Sequence, residues 1–442
     1  MSDERLYLMK KQLSVLSFTL IGLLYLSAGC TATPCDVPAL TQCPTPIDEQ
    51  IPAVKDMLKW NMKDRVIGFR NGYRAYPGDV FHRGTPQPLK RNIQDLSAVS
   101  YEINDNEYTL NDYIERNNVT GMMIIKDSQV VFEYYGQGNT PQTLWTSRSV
   151  AKSIVSTLVG VAVQEGKIES LDDKVVKYNP DVAGTAWEKV SIRNLLRHTS
   201  GVEWTENYET ENSDFAKLTA CEAAEKTYEC VHDLVINKKR RAVASPGQNW
   251  SYSSGGAWLL GDTLEKVVGM PIAEYLQEKI WKPYGMTSDG VWHSYEVGKH
   301  DAGAHGFNAT LEDWGKFGLF VLNDGTLPDG TSILPHNWVL DARQWSKAEH
   351  SISYSHPEGV YGYEWWNNSV PIDTKNVSPK TGLESNQTMW ALGIFGQIIM
   401  INTKENLVIV QWSTWPKAEP SFSEQPLEAS LMYNAIANKL RQ

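Results

Sequence analysis

Residues 149–164, Ser-Val-Ala-Lys-Ser-Ile-Val-Ser-Thr-Leu-Val-Gly-Val-Ala-Val-Gln, constrain the fold of this 442-residue chain more than any other stretch. The run is almost wholly apolar and stops at Gly166. A helix that is apolar on nearly all sides has no face to offer water and must be buried in a core. Other elements must therefore wrap around it. Two apolar runs at 122–125 and 130–134 precede it, split by Lys126-Asp127-Ser128-Gln129, a hairpin pattern. A second hairpin is expected from 398–401 and 407–412, around 402–406. Helices are expected over 191–197, 214–227, 256–268, 272–280, 311–323 and 335–344, with a closing amphipathic helix at 427–440. Strands thus lie at both ends and helices fill the middle. That order predicts an α+β fold, with one antiparallel sheet built from both chain ends and a helical lobe inserted over roughly 165–345. The cleft should lie where lobe meets sheet.

The first 53 residues read as targeting and tether. Lys10 and Lys11 precede an apolar stretch at 13–26, followed by Ser27-Ala28-Gly29-Cys30. The pattern resembles a bacterial lipobox, which implies cleavage before Cys30, lipid on that residue and a membrane-anchored place in the cell envelope, facing the periplasm. An uncleaved transmembrane anchor is the rival reading. Residues 31–51 are rich in Pro and Thr, as a tether would be, and folded sequence is expected from about Val54. With Cys30 set aside, four of the five cysteines remain, in the close pairs Cys35/Cys43 and Cys221/Cys230. An even remainder in an exported chain suggests two short-loop disulfides, against the alternative of free thiols. No spacing resembles a zinc site, and no cofactor motif stands out. Net charge is −11 and the pI near 5.4, with no basic patch to suggest a nucleic-acid partner. Sixteen tryptophans suit both a large core and a cleft for flat or apolar ligands, and Trp365, Trp366 and Trp390 are candidates to line it. Nothing speaks to oligomeric state.

Ser149 and Lys152 open the apolar helix. A spacing of three puts both on one face, about a turn apart. A serine is a weak nucleophile until a base takes its proton, and a desolvated lysine can be that base. The helix start adds free N–H groups suited to a developing oxyanion. Serine and lysine are common, so the spacing alone could be chance. Tyr252-Ser253-Ser254, before the 256–268 helix, supplies a further candidate. A tyrosine beside a lysine cation can have its pKa lowered and so shuttle protons.

Together, these residues resemble the serine β-lactamase and penicillin-binding-protein superfamily. The chain is most similar to the branch holding class C-type β-lactamases, β-lactamase-like esterases and 6-aminohexanoate-dimer hydrolases. Further stretches carry the likeness across roughly residues 65–440: Leu195-Leu196-Arg197-His198-Thr199-Ser200-Gly201, Pro246-Gly247, Tyr284-Gly285-Met286, Gly362-Tyr363-Glu364-Trp365-Trp366 and Gly393-Ile394-Phe395-Gly396-Gln397. The resemblance implies Ser149 as the acylated nucleophile, Lys152 as its base and Tyr252 as the proton relay to the leaving group. It implies that the N–H groups of Ser149 and Ile394 form the oxyanion hole, and that Gly393, Ser254, Tyr208 and His305 border the substrate. Tyr208 reads equally as a surface tyrosine, His305 as a structural histidine, and His198 as a loop hydrogen-bonder. The third motif departs from the family. Ala391 occupies the slot where the lactamases carry a lysine, and Lys380-Thr381-Gly382 lies too early in the chain to replace it. The implied activity is a serine hydrolase acting on a small ester, amide or peptide. A true β-lactamase or DD-peptidase, and a non-catalytic penicillin- or peptidoglycan-binding lipoprotein, are the competing readings.

Overall fold

The computed structural model describes residue 40 and residues 49–343, 360–367, 388–420 and 424–441. Cys30, Cys35, Cys43 and Lys380-Thr381-Gly382 lie outside the described residues. All described residues belong to one unit, Ala39–Gln442.

The main sheet has eight strands: β1 (Lys90–Arg91), β2 (Val119–Lys126), β3 (Gln129–Tyr135), β4 (Val360–Gly362), β5 (Trp365–Asn367), β6 (Thr388–Gly393), β7 (Gln397–Asn402) and β8 (Leu407–Ser413). Their spatial order is β4-β5-β6-β7-β8-β2-β3-β1. Neighbours pair antiparallel, except that β1 runs parallel to β3. Both expected hairpins are present as β2–β3 and β7–β8. The two halves meet in the middle, where Ile124 pairs with Ile409 and Met123 with Val410.

The pleat explains why these strands read as unbroken apolar runs. Met123, Ile125, Ile399, Ile401, Val408 and Val410 pack on one side, into the cluster that holds the helices Val150–Gln164 and Leu311–Leu322. Met122, Ile124, Ile398, Met400 and Ile409 face the other way, onto the helices Leu110–Arg116 and Gln425–Leu440. A sheet covered on both faces needs apolar side chains at every position. The result is a three-layer α/β/α sandwich. We label the helices α1 (Leu110–Arg116), α2 (Val150–Gln164), α3 (Asp214–Cys221), α4 (Thr227–Val235), α5 (Ser254–Val268), α6 (Leu311–Leu322) and α7 (Gln425–Leu440).

α2 is buried along thirteen consecutive residues, Val150 to Ala162. Its few hydroxyls are not free in that apolar setting. Ser153 Oγ donates to Glu364 O and Ser156 Oγ to Tyr363 O, each at 2.6 Å, and so fasten the β4–β5 turn to the helix. Unmatched, each hydroxyl would carry a desolvation cost.

The expectation of a single sheet needs correcting. A second sheet pairs Gly78–Phe81, Gly290–Glu296, Phe307–Ala309 and Trp145–Thr146 in that order. A fifth strand, His300–Asp301, pairs with Gly290–Glu296, so three strands of this sheet fall inside the region expected to be helical. Phe307–Ala309 and His300–Asp301 are too short to show alternation, and Gly290–Glu296 is buried at every position but its last, so no apolar–polar alternation marks it. The 214–227 helix is in fact two, α3 and α4, joined by a Cys221–Cys230 disulfide with Cα atoms 5.4 Å apart. The 272–280 helix changes to a wider-pitched turn at Gln277–Trp281, and the 335–344 helix shortens to Trp338–Arg343. Among the described residues no helix is long and apolar enough to cross a membrane.

Candidate active site

The second sheet delivers the Ser-x-x-Lys. Its last strand ends at Thr146, and Ser147 N donates to Phe307 O at 2.8 Å. The chain then turns through Arg148, which holds a left-handed φ of 48°, before α2 begins. A side chain at positive φ is strained and persists only where its surroundings fix it. One such constraint is Gly393 at the end of β6. A Cβ there would stand 2.5 Å from Ser147 O and 3.2 Å from Arg148 Cβ, so β6 abuts the turn as only glycine allows. Ser149 occupies the N-cap of α2. Among the described residues, the N–H groups of Ser149 and Ile394 donate to no other residue.

One turn along α2, Lys152 Nζ lies 2.9 Å from Ser149 Oγ and donates to Ala304 O, also at 2.9 Å. Lys152 is 2% exposed. Burial pulls its pKa below the ordinary lysine value, against the opposing pull of the Glu206 and Glu364 carboxylates. The amine also stands 5.2 Å from the centre of the Tyr252 ring.

Tyr252 enters from the segment before α5, whose first turn is capped by Ser253 Oγ accepting from Gly256 N at 2.9 Å. Its ring packs against His198 at 4.6 Å and stacks on Trp366 at 5.8 Å. The expected lowering of its pKa is overturned. Burial, then the Glu206 charge, push the hydroxyl well above the ordinary tyrosine value, and its hydrogen bond with Ser149 offsets only part of this. With Lys152 pulled down and Tyr252 pushed up, the neutral amine is the group fit to accept the serine proton. His198 holds the wall behind Tyr252: its Nε2 lies 3.1 Å from Tyr361 Oη and 2.9 Å from a buried Glu364 carboxylate.

Ser149, Lys152, Tyr208, Ser254, Ala304, His305 and Ile394 all line one narrow cleft, with Arg148, Met57, Phe215, Leu218, Thr219 and Glu222. Sequence reasoning missed Glu206, which organises one wall. Its carboxylate accepts from Ser254 N at 2.9 Å, Ser254 Oγ at 2.7 Å, Trp204 Nε1 at 2.6 Å and Tyr208 Oη at 3.2 Å. The hydroxyls of Ser254 and Tyr208 are thus committed to Glu206. No motif pointed to this residue; its position two before Tyr208 was the one hint. His305 is likewise committed, bonded through Nε2 to Glu222. Burial pushes the Glu222 carboxyl up, but the His305 charge and hydrogen bond outweigh it and hold the group below its ordinary value. Trp365 and Trp390 do not line this cleft; Trp365 is core, and Trp390 stacks on Tyr433 of α7 at 5.6 Å. Ala391 is fully buried on the α2 side of the sheet, and its own side chain carries no charge.

Among the described residues, two groups of side chains bring metal-type donors within 4.8 Å of one another: Glu222, His293 and His305, and Asp262, Glu265 and His300. In the first, Glu222 and His305 already bond each other. In the second, Asp262 is held by Asn179, Tyr228 and Lys266. The carboxylates of both groups are already held by protein partners, whereas the buried His293 Nδ1 has no hydrogen-bond partner among the described residues.

A buried helix that opens on a serine with a buried lysine amine 2.9 Å from its hydroxyl, set between the sheet and a helical lobe, is the arrangement of a serine hydrolase of the β-lactamase-like fold. Residues 107–431 match the Beta-lactamase family, and the chain belongs to it. It is 24% identical over 352 residues to the 6-aminohexanoate-dimer hydrolase of Paenarthrobacter ureafaciens, covering 77% of this chain and 83% of that one. A penicillin-binding protein of Bacillus subtilis strain 168 is 30% identical over 256 residues, covering 53% and 54%. A solved structure from Bacillus anthracis, assigned provisionally as a 6-aminohexanoate-dimer hydrolase, superposes with a TM-score of 0.71 at 22% identity, covering 89% of this chain and 99% of that chain.

Proposed function

We propose that this chain is an exported, lipid-anchored serine hydrolase that cleaves an ester or amide through an acyl-enzyme on Ser149. The observation that carries the reading is the 2.9 Å approach of a buried Lys152 amine to Ser149 Oγ. In the first step the neutral amine takes the hydroxyl proton as the oxygen attacks the carbonyl carbon. The N–H groups of Ser149 and Ile394 receive the resulting oxyanion, each typically contributing about 3 kcal/mol of barrier lowering. Collapse expels the leaving group, which takes a proton relayed through Tyr252, and the acyl chain stays on Ser149. Water then attacks the ester, its proton passing to the same amine, and the acid departs. A tyrosine whose pKa lies above its ordinary value serves as a proton donor, not as a standing base.

The Ala391 position favours general esters and amides over β-lactams, because a lactam carboxylate would find no lysine there. Cys30 is the site where lipid would hold the enzyme to the envelope membrane. The test is Ser149→Ala. It should abolish turnover of short p-nitrophenyl esters and labelling by a fluorophosphonate, while a full-rate variant would end the assignment. Efficient nitrocefin hydrolysis by the parent would replace it with a β-lactamase. Labelling without turnover would point to the binding lipoprotein instead.

A further inference from the structure

Arg148, the residue before the nucleophile, keeps a buried positive charge without a counter-ion. It is 7% exposed, yet it lines the same cleft as Ser149. Its guanidinium lies over the Phe69 ring at 4.9 Å and meets the Tyr76 hydroxyl. Its Nε has no hydrogen-bond partner. Glu222 is near enough to feel the charge, but its carboxylate is bonded to His305. Among the described residues no carboxylate forms an ion pair with Arg148. A desolvated cation left unpaired is costly, and a guanidinium offers a planar fork of donors that fits a carboxylate. The cation therefore has the chemistry of a ligand site that the folded chain itself does not fill.

The side of the cleft follows from its walls. Tyr252, placed to protonate the leaving group, packs with His198, Tyr361 and Trp366. Arg148 meets Phe69, Tyr76 and the charge of Glu222, and among the described residues no ring contact joins any of the three to Tyr252. With the leaving group assigned to the Tyr252 wall, the Arg148 wall is left for the acyl portion. Building on the acyl-enzyme reading above, we infer that Arg148 receives a carboxylate carried on the acyl portion, so that the substrate class is monoesters or monoamides of short dicarboxylic acids.

The test compares mono-p-nitrophenyl succinate, glutarate and adipate with neutral p-nitrophenyl esters of matching chain length. The parent, Arg148→Met and Arg148→Lys are assayed with all of them, and folding is checked by melting temperature. The readout is the ratio of kcat/KM for anionic over neutral ester within each protein, so a general loss of activity cancels. In the parent, one chain length should be favoured about 10- to 100-fold, the scale of a charge-assisted hydrogen bond. The ratio should collapse towards unity in Arg148→Met through a rise in KM, with partial recovery in Arg148→Lys. A parent without preference, or an Arg148→Met variant that keeps it, overturns the inference. A calorimetric arm separates this from failure of the acyl-enzyme reading. Ser149→Ala should bind monomethyl glutarate, and Ser149→Ala with Arg148→Met should not. That result stands whether or not esters are turned over, and equal binding by both proteins refutes the carboxylate site.

Discussion

Gly393→Ala isolates the contact between β6 and the nucleophile turn. The new Cβ would stand 2.5 Å from Ser147 O, 3.0 Å from Gln397 Cβ and 3.2 Å from Arg148 Cβ. Ordinary contact begins near 3.4 Å, so the closest pair must part by 3.4 − 2.5, about 0.9 Å. None of the three atoms is the far end of a flexible side chain. The backbone must give, and Ile394 N–H, the next group along, moves with it. A displacement on the order of 1 Å at reacting groups can cost about 100-fold in rate, close to the loss of one oxyanion donor. We expect kcat for a p-nitrophenyl ester to fall about 100-fold, or about 2.7 kcal/mol of barrier. KM should change less, because the contact matters most once the oxyanion forms. Overpacking should also destabilise the fold by about 1 to 3 kcal/mol, read from a urea melt. Gly256→Ala is the control, since its nearest neighbours would be Ser253 Oγ at 3.4 Å and Ser253 Cβ at 3.5 Å. It should leave kcat near the parent value. A Gly393→Ala enzyme within about threefold of the parent kcat would refute both the close approach and the role of Ile394 N–H.

Two further outcomes follow from the electrostatics. Activity needs the neutral Lys152 amine, so kcat/KM should rise with pH through one ionisation below the ordinary lysine value of 10.5 and then level. Glu206 stabilises the ammonium form, so Glu206→Gln should shift that limb to lower pH; a limb that stays put, or moves up, contradicts the assignment of Lys152 as base. Tyr252→Phe should slow an anilide or amide far more than a p-nitrophenyl ester, because the poorer leaving group needs the proton. Equal losses on both substrates would remove Tyr252 from the relay.

The three residues of the proposed chemistry were legible because each sits in a pattern that sequence preserves. Ser149 and Lys152 are one turn apart on a helix whose apolar run is unmistakable, and Tyr252 stands just ahead of another helix. The hairpins showed for the same reason, since their strands span six to eight residues and their turns are polar. What stayed hidden was long-range and charged. The Glu222–His305 bond joins residues 83 apart, and the Glu206–Ser254 bonds join residues 48 apart. The Tyr252 pKa was read with the wrong sign because a nearby lysine was visible in the sequence, whereas burial and the Glu206 carboxylate were not. Arg148 drew no notice, because its burial and missing partner exist only once Phe69, Tyr76 and the cleft are assembled.

The pairing of β2 with β8 has a consequence for how the enzyme comes into being. Residues 119–126 find their sheet partners far along the chain, at 407–413. Closing so long a loop costs entropy before any contact rewards it, and folds built on such pairings form slowly. A ribosome that has made α2 has made the nucleophile, but the strands that carry Ile394 and cover the helix are still to come. The nascent chain therefore holds a highly apolar segment that must be kept from aggregating until those strands arrive. Loss of the strands Gln397–Asn402 and Leu407–Ser413 would leave Ser149 chemically intact and catalytically idle.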